Sequence, residues 1–212
     1  MDQRKLQDRL DWGLNRAARV IGRSTDAFRP VGATDPISSE TRYLRLPAAF
    51  SALDGSFSKA VGYGQALWRG YFDRAYTRAG DYLVQDVGTW FIASQQDLLP
   101  IVCVKTNCIL SVSRILPPES GAVYGSGVPG SRITILAEWP GSMFSVKSGE
   151  VPRSGLPTDL PAPGWTCLLP IGHDQVIRAS DIVDDASGIS SIVLSAELSD
   201  LGWRLNIRQI ST

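Results

Sequence analysis

The sequence predicts a mainly β fold with an N-terminal α-helix, a β-barrel or β-sandwich core and long extended arms. Three observations carry this expectation. Helical periodicity is sustained only over residues 3–21. After Gly80 the chain divides into short β-branched or aromatic runs separated by turn-formers. One phrase is also written twice, as "GDYLVQDVGTWFIASQ" (Gly80–Gln95) and "SDIVDDASGISSIVLSAE" (Ser180–Glu197).

The elements follow in order. Leu6, Leu10, Leu14, Ala17 and Ile21 form one apolar helical stripe, with Arg4, Lys5, Arg9, Arg16 and Arg19 largely off it. Gly22 reads as a left-handed stop. From Arg23 to Gly62 the period dissolves into Pro, Gly, Ser and Ala, so residues 1–62 are expected to be a helix and an extended arm that orders on a neighbour. "QALWRGYFDRAYTR" (Gln65–Arg78) packs Trp68, Tyr71, Phe72 and Tyr76 at helical spacing, although Gly70 argues for a turn; core filling explains the aromatics either way. Residues 63–212 are expected to be a β-rich core domain with loop insertions at 117–131 and 149–165, rich in glycine and proline respectively. Strands are expected in "DYLVQD", "TWFIAS", "LPIVCV", "CILSVSR", "RITILAEW", "WTCLLPI", "QVIRAS", "SSIVLSAEL" and "WRLNIRQI".

The repeated phrase has a physical reading. An Asp–apolar strand, an Asp/Gly turn and a second apolar strand make a β-hairpin turning at Gly88 or Gly188, because Asp and Gly tolerate turn conformations that other residues resist. Two similar hairpins follow. Whether whole modules are duplicated stays open, since Trp90–Phe91 falls opposite Ser190–Ser191.

A hydrophobic fraction of 43% and a charged fraction of 20% describe an ordinary globular chain. Net charge is zero, which gives no footprint of a nucleic-acid or membrane-surface protein. Residues 1–50 nevertheless hold nine Lys/Arg against six Asp/Glu, and residues 151–212 hold four against seven, so copies could attract head to tail. The start is too polar for a signal peptide, and no apolar run approaches the ~18–20 residues that span a bilayer. Synthesis in a reducing cytoplasm is expected, and the three cysteines cannot complete a disulfide framework.

Chemistry is scarce. His173 is the single histidine and no serine sits in a nucleophile elbow, so no nucleophile–base pairing is in view. Cys103, Cys108, Cys167 and His173 match no zinc spacing. "GSGVPGS" (Gly125–Ser131) lacks the Lys-Ser/Thr ending of a phosphate loop. Asp181, Asp184 and Asp185 depart from a calcium loop and read as a turn. Thus no catalytic residue, metal ligand or cofactor is expected, and the protein is not read as an enzyme. The residues assigned to partner contact are Leu6, Leu10, Leu14 and Ile21.

At "YGQALWRGYFDRAYTRAGDYLVQDVGTWFIASQQDLLPIVCVKTN" and "SAELSDLGWRLNIRQ" the chain resembles proteins encoded in tailed bacteriophages and prophages. The twice-written phrase also looks like that of small β-barrel head-closure and head–tail joining proteins. The resemblance implies a virion structural component, a ring-forming homo-oligomer of the neck that meets other neck, portal or tail proteins and could lie near DNA in a lumen. It implies no membrane partner and supplies no catalytic residue. The rival classes are a tail-associated receptor- or carbohydrate-binding module, using aromatics such as Trp139 and Trp165, and a cell-wall hydrolase.

Overall fold

Helix α1 (Gln3–Ile21) starts where Asp2 accepts the Arg4 amide and stops at Gly22, whose N–H closes on the Ala18 carbonyl. The stop is not left-handed. Gly22 is extended at φ −78°, and glycine is needed because a Cβ there would strike the Ala18 carbonyl and press on the Ala48 amide. The computed structural model describes residues 2–52, 66–116, 132–145, 164–171 and 175–210. The expected loop at 117–131, most of that at 149–165, and His173 lie outside these residues.

Twelve strands among the described residues close into two antiparallel barrels. Barrel 1 comprises β1 (Arg23–Phe28), β2 (Arg42–Ala52), β3 (Leu67–Tyr71), β4 (Tyr82–Gln85), β5 (Gly88–Ser94) and β6 (Ile101–Lys105). They run around the barrel as β1-β2-β3-β6-β5-β4. Barrel 2 comprises β7 (Cys108–Ile115), β8 (Arg132–Ser145), β9 (Gly164–Leu169), β10 (Ile182–Asp185), β11 (Ser190–Ser199) and β12 (Gly202–Gln209). These run as β7-β8-β9-β12-β11-β10, so adding six to each label turns the first barrel into the second.

The register extends the equivalence to single residues. Phe28 pairs with Tyr82 where Ser113 pairs with Ile182, and Trp68 pairs with Cys103 where Trp165 pairs with Ile207. A bulge falls after Ile92 in β5 and after Val193 in β11. The repeated phrase is therefore the β4–β5 hairpin and the β10–β11 hairpin, turning at Gly88 (φ 151°) and Gly188 (φ 80°). The second hairpin has one extra residue in its turn. Leu83 pairs with Trp90 and Val183 with Ser191, so Trp90 is matched by Ser191, and Phe91 by Ile192. The poor match at Phe91 came from that one-residue offset, Trp90 is replaced by a serine in either alignment, and the structural repeat covers both barrels.

The division expected at residue 62 does not follow the fold. β1 and β2 belong to barrel 1, and the barrels are joined at Thr106–Asn107. Leu44, Leu46, Ala48 and Phe50 do alternate along β2 toward the barrel 1 core, but Pro47 on the outer side and small Ala residues blur the period. Residues 67–71 of the aromatic segment are a strand rather than a helix, followed by a short 3-10 turn at Arg74–Tyr76. "QVIRAS" forms no strand; only Ile177 from it reaches the core.

Barrel 1 fills with Ala27, Leu46, Leu83, Trp90, Ile92 and Cys103. Its outer face, bearing Phe28, Tyr82 and Phe91, joins one apolar cluster with the interior of barrel 2. At this seam the buried Tyr82 hydroxyl donates to the Pro140 carbonyl at 2.7 Å, and its ring meets Trp139 edge to face. The Trp139 indole N–H donates to the Ala33 carbonyl at 2.8 Å, and Thr34 bridges to Ala137. Helix α1 lies on β2 and β3, burying Ala18 and pressing Leu14 on the barrel 1 core.

Candidate interaction surface

Each barrel closes on a buried carboxylate that opens its repeated hairpin. Asp81 accepts Arg29 Nε and Nη2 at 2.9 and 2.7 Å, the Arg78 amide at 3.0 Å and the Tyr43 hydroxyl at 2.7 Å. Asp181 accepts Arg114 Nε and Nη2 at 2.7 and 2.9 Å and the Arg178 amide at 2.7 Å. Both arginines follow from the same strand position, and each also donates to a backbone carbonyl, Tyr76 or Val176. The carboxylates hold both guanidinium groups further protonated, and burial with the Asp81 hydrogen bond raises the Tyr43 phenol. A bidentate pair locked between two strands and a turn is geometry for holding a barrel closed.

The neighbouring carboxylates have partners of their own. Asp184 pairs with Arg132 and accepts the Ser190 hydroxyl, while Asp185 accepts the Ser187 and Ile189 amides at 2.9 Å. Asp181, Asp184 and Asp185 are thus each committed separately, and no group of three or more His, Cys, Asp or Glu among the described residues could hold a metal ion. The cysteines are free. Burial pushes the Cys103 and Cys167 thiols upward, and burial with the Asp185 charge pushes Cys108 up to about 11. All three stay thiols at neutral pH and serve as small apolar groups.

The surface that needs an explanation is apolar and lies at one end. The β5–β6 loop is tied to α1, because Gln7 Oε1 accepts the Leu98 amide at 2.7 Å and Arg74 joins Asp11 to Asp97 and the Gln95 carbonyl. The same loop reaches its counterpart in barrel 2, with Gln96 donating to Asp200 at 2.7 Å. Around these contacts Leu6 (37%), Leu10 (42%), Leu98 (37%), Leu99 (56%), Leu198 (56%) and Leu201 (42%) remain exposed. Leu98 sits at φ 60°, a left-handed conformation that costs a branched residue energy. Of the residues assigned to partner contact, Leu6 and Leu10 reach this end, Leu14 faces its own barrel, and Ile21 is exposed at the other end of α1. Leu98, Leu99, Leu198 and Leu201 were missed; their one sequence signal is leucine beside a turn, in "DLLP" and "LSDLG".

Toward the opposite end barrel 2 holds a cavity of about 40 Å³, lined by Leu110, Met143, Trp165, Val183, Ile207 and Ser191 among others. In barrel 1 the same place is filled: Trp90 stacks on Phe50 at 4.2 Å and Lys105 lies over the indole at 5.4 Å. Of the two aromatics named for a carbohydrate binder, Trp139 is fully buried and Trp165 lines the cavity. No helix among the described residues is long and apolar enough to cross a membrane. Comparison with protein-family models, curated proteins and solved structures finds no match to the chain.

Proposed function

We propose that the protein is a structural component of a tailed-bacteriophage virion, a ring-forming neck protein that joins head and tail. The observation that carries this reading is the rigidly braced leucine end of a two-barrel molecule. Exposed leucines on two loops and a helix that are tied together by hydrogen bonds suit a contact surface, since solvent exposure of leucine stabilises nothing in the isolated chain. The resemblance of the repeated hairpins to head–tail joining proteins supplies the setting, and the absence of a nucleophile–base pairing in the sequence favours assembly over catalysis.

The test is to size the purified chain and to probe purified particles for it. A high-order oligomer in solution, or protein found only within particles at the neck, is the expected result. A stable 23.0-kDa monomer that is absent from particles contradicts the proposal.

A further inference from the structure

We propose that the outward face of α1 binds the phosphate backbone of a nucleic-acid duplex without regard to base sequence. The helix carries this contact whether or not the chain belongs to a virion.

α1 has two faces set two residues out of step. Gln7, Asp11, Leu14 and Ala18, at steps of four, three and four, are turned to barrel 1. That face is fastened along its length. Gln7 Oε1 accepts the Leu98 amide at 2.7 Å, Asp11 lies 3.7 Å from Arg74 Nε, and Asn15 donates to Asp73 at 2.7 Å. Leu14 packs on the barrel 1 core and Ala18 is fully buried. Lys5, Arg9, Trp12, Arg16 and Arg19 recur at the same three- and four-residue steps, so they form one ridge on the opposite side. All five are exposed, Trp12 at 64%.

The zero net charge of the chain hides this ridge, because the carboxylates are spent elsewhere. Asp26, Asp81, Asp86, Asp97, Asp181 and Asp184 each hold an arginine outside α1. On the helix Asp2 caps the N-terminus and Asp11 faces Arg74, which leaves Asp8, on the flank of the ridge, as its one uncommitted acid. Among the described residues, Lys5, Arg9, Arg16 and Arg19 are paired with no carboxylate; Arg19 donates to the neutral Asn15 side chain, and Arg16 lies over the Trp12 ring at 5.3 Å.

Geometry selects the partner. From Lys5 to Arg19 the ridge runs about 21 Å, at ~1.5 Å per residue. A duplex carries one phosphate charge about every 1.7 Å of its axis, so a rigid row of cations meets phosphates in any register. An acidic protein surface would need carboxylates matched to the row. One aromatic on a convex rod gives no stacking track for a single strand. A lipid surface would have to take up the apolar stripe, but the fastenings to barrel 1 stop α1 from rolling Leu6 and Leu10 outward.

Fluorescence anisotropy of a labelled DNA duplex with the full-length chain tests the contact. Four phosphate contacts give log K a slope of about −3.6 against log salt per bound chain, or about a hundredfold loss between ~50 and ~200 mM. Lys5→Gln/Arg9→Gln/Arg16→Gln should leave a slope of about −1 and bind at least about tenfold more weakly at low salt. Arg23→Gln/Arg42→Gln/Arg45→Gln removes the same charge from paired arginines of barrel 1 and should bind like wild type. No binding at low salt overturns the proposal, as do equal losses in the two triple variants, which would mean bulk charge alone. Tighter binding to a single strand or to phosphatidylserine vesicles than to the duplex overturns it too. Far-ultraviolet circular dichroism checks the fold of the first variant. Should it unfold, Arg16→Gln alone is expected to make the slope shallower by about one, and an unchanged slope overturns the proposal.

Discussion

Asp81 and Asp181 do the same work in different company. Removing Arg114 leaves Asp181, 2% exposed, with the Arg178 amide, whereas removing Arg29 leaves Asp81 with the Arg78 amide, the Arg78 guanidinium at 3.8 Å and the Tyr43 hydroxyl. Stranding a buried charge costs about 3–5 kcal/mol. Arg114→Met is therefore expected to lose about 3 kcal/mol in urea unfolding and Arg29→Met less; equal losses would show that Tyr43 and the Arg78 guanidinium together contribute nothing. A second residue-scale expectation concerns acid. The Arg45 hydrogen bond, reinforced by Arg42, holds the Asp26 carboxyl below its usual range. A lowered folded value means that this stabilisation is full above the unfolded carboxylate range, near pH ~4, and drains as pH falls through the folded value. Asp26→Asn should flatten the acid limb of the stability curve below about pH 4 and leave its alkaline side unchanged.

The strands explain what could be read in advance. The two hairpins were legible because Asp and Gly at fixed places are demanded by local turn geometry, which acts over a few residues. Their equivalence was hidden by one inserted turn residue and by the exchange of Trp90 for Ser191, which keeps the backbone and changes the filling. β1 and β2 went unread because a strand with Pro47 on its outer side and Ala48 and Ala49 at its centre has little hydrophobic contrast. The leucine end was half legible: Leu6 and Leu10 stand out in a helical stripe, whereas Leu98 and Leu201 acquire meaning only when two distant loops meet at Gln96 and Asp200. The filling difference makes an element-scale prediction. Trp90→Ser gives barrel 1 the composition of barrel 2 at that site and removes a ring that is 3% exposed and stacked on Phe50. A loss of about 3–5 kcal/mol in thermal or urea unfolding is expected. A loss below about 1 kcal/mol would mean that the stacked plug is not part of the barrel 1 core.

At the scale of the molecule, two equivalent barrels are packed through unlike faces. The outer side of barrel 1, with Phe28, Tyr82 and Phe91, meets the β8 side of barrel 2, with Trp139 and Pro140. A heterologous contact is thus already built inside one chain. Hydrogen–deuterium exchange on assembled and dispersed full-length protein tests the leucine end as the contact surface most directly. Assembly is expected to slow exchange in the β5–β6 loop around Leu98–Leu99 and in the β11–β12 turn around Asp200–Leu201, with the seam at Tyr82 and Trp139 unchanged. Unchanged exchange at both loops would contradict it.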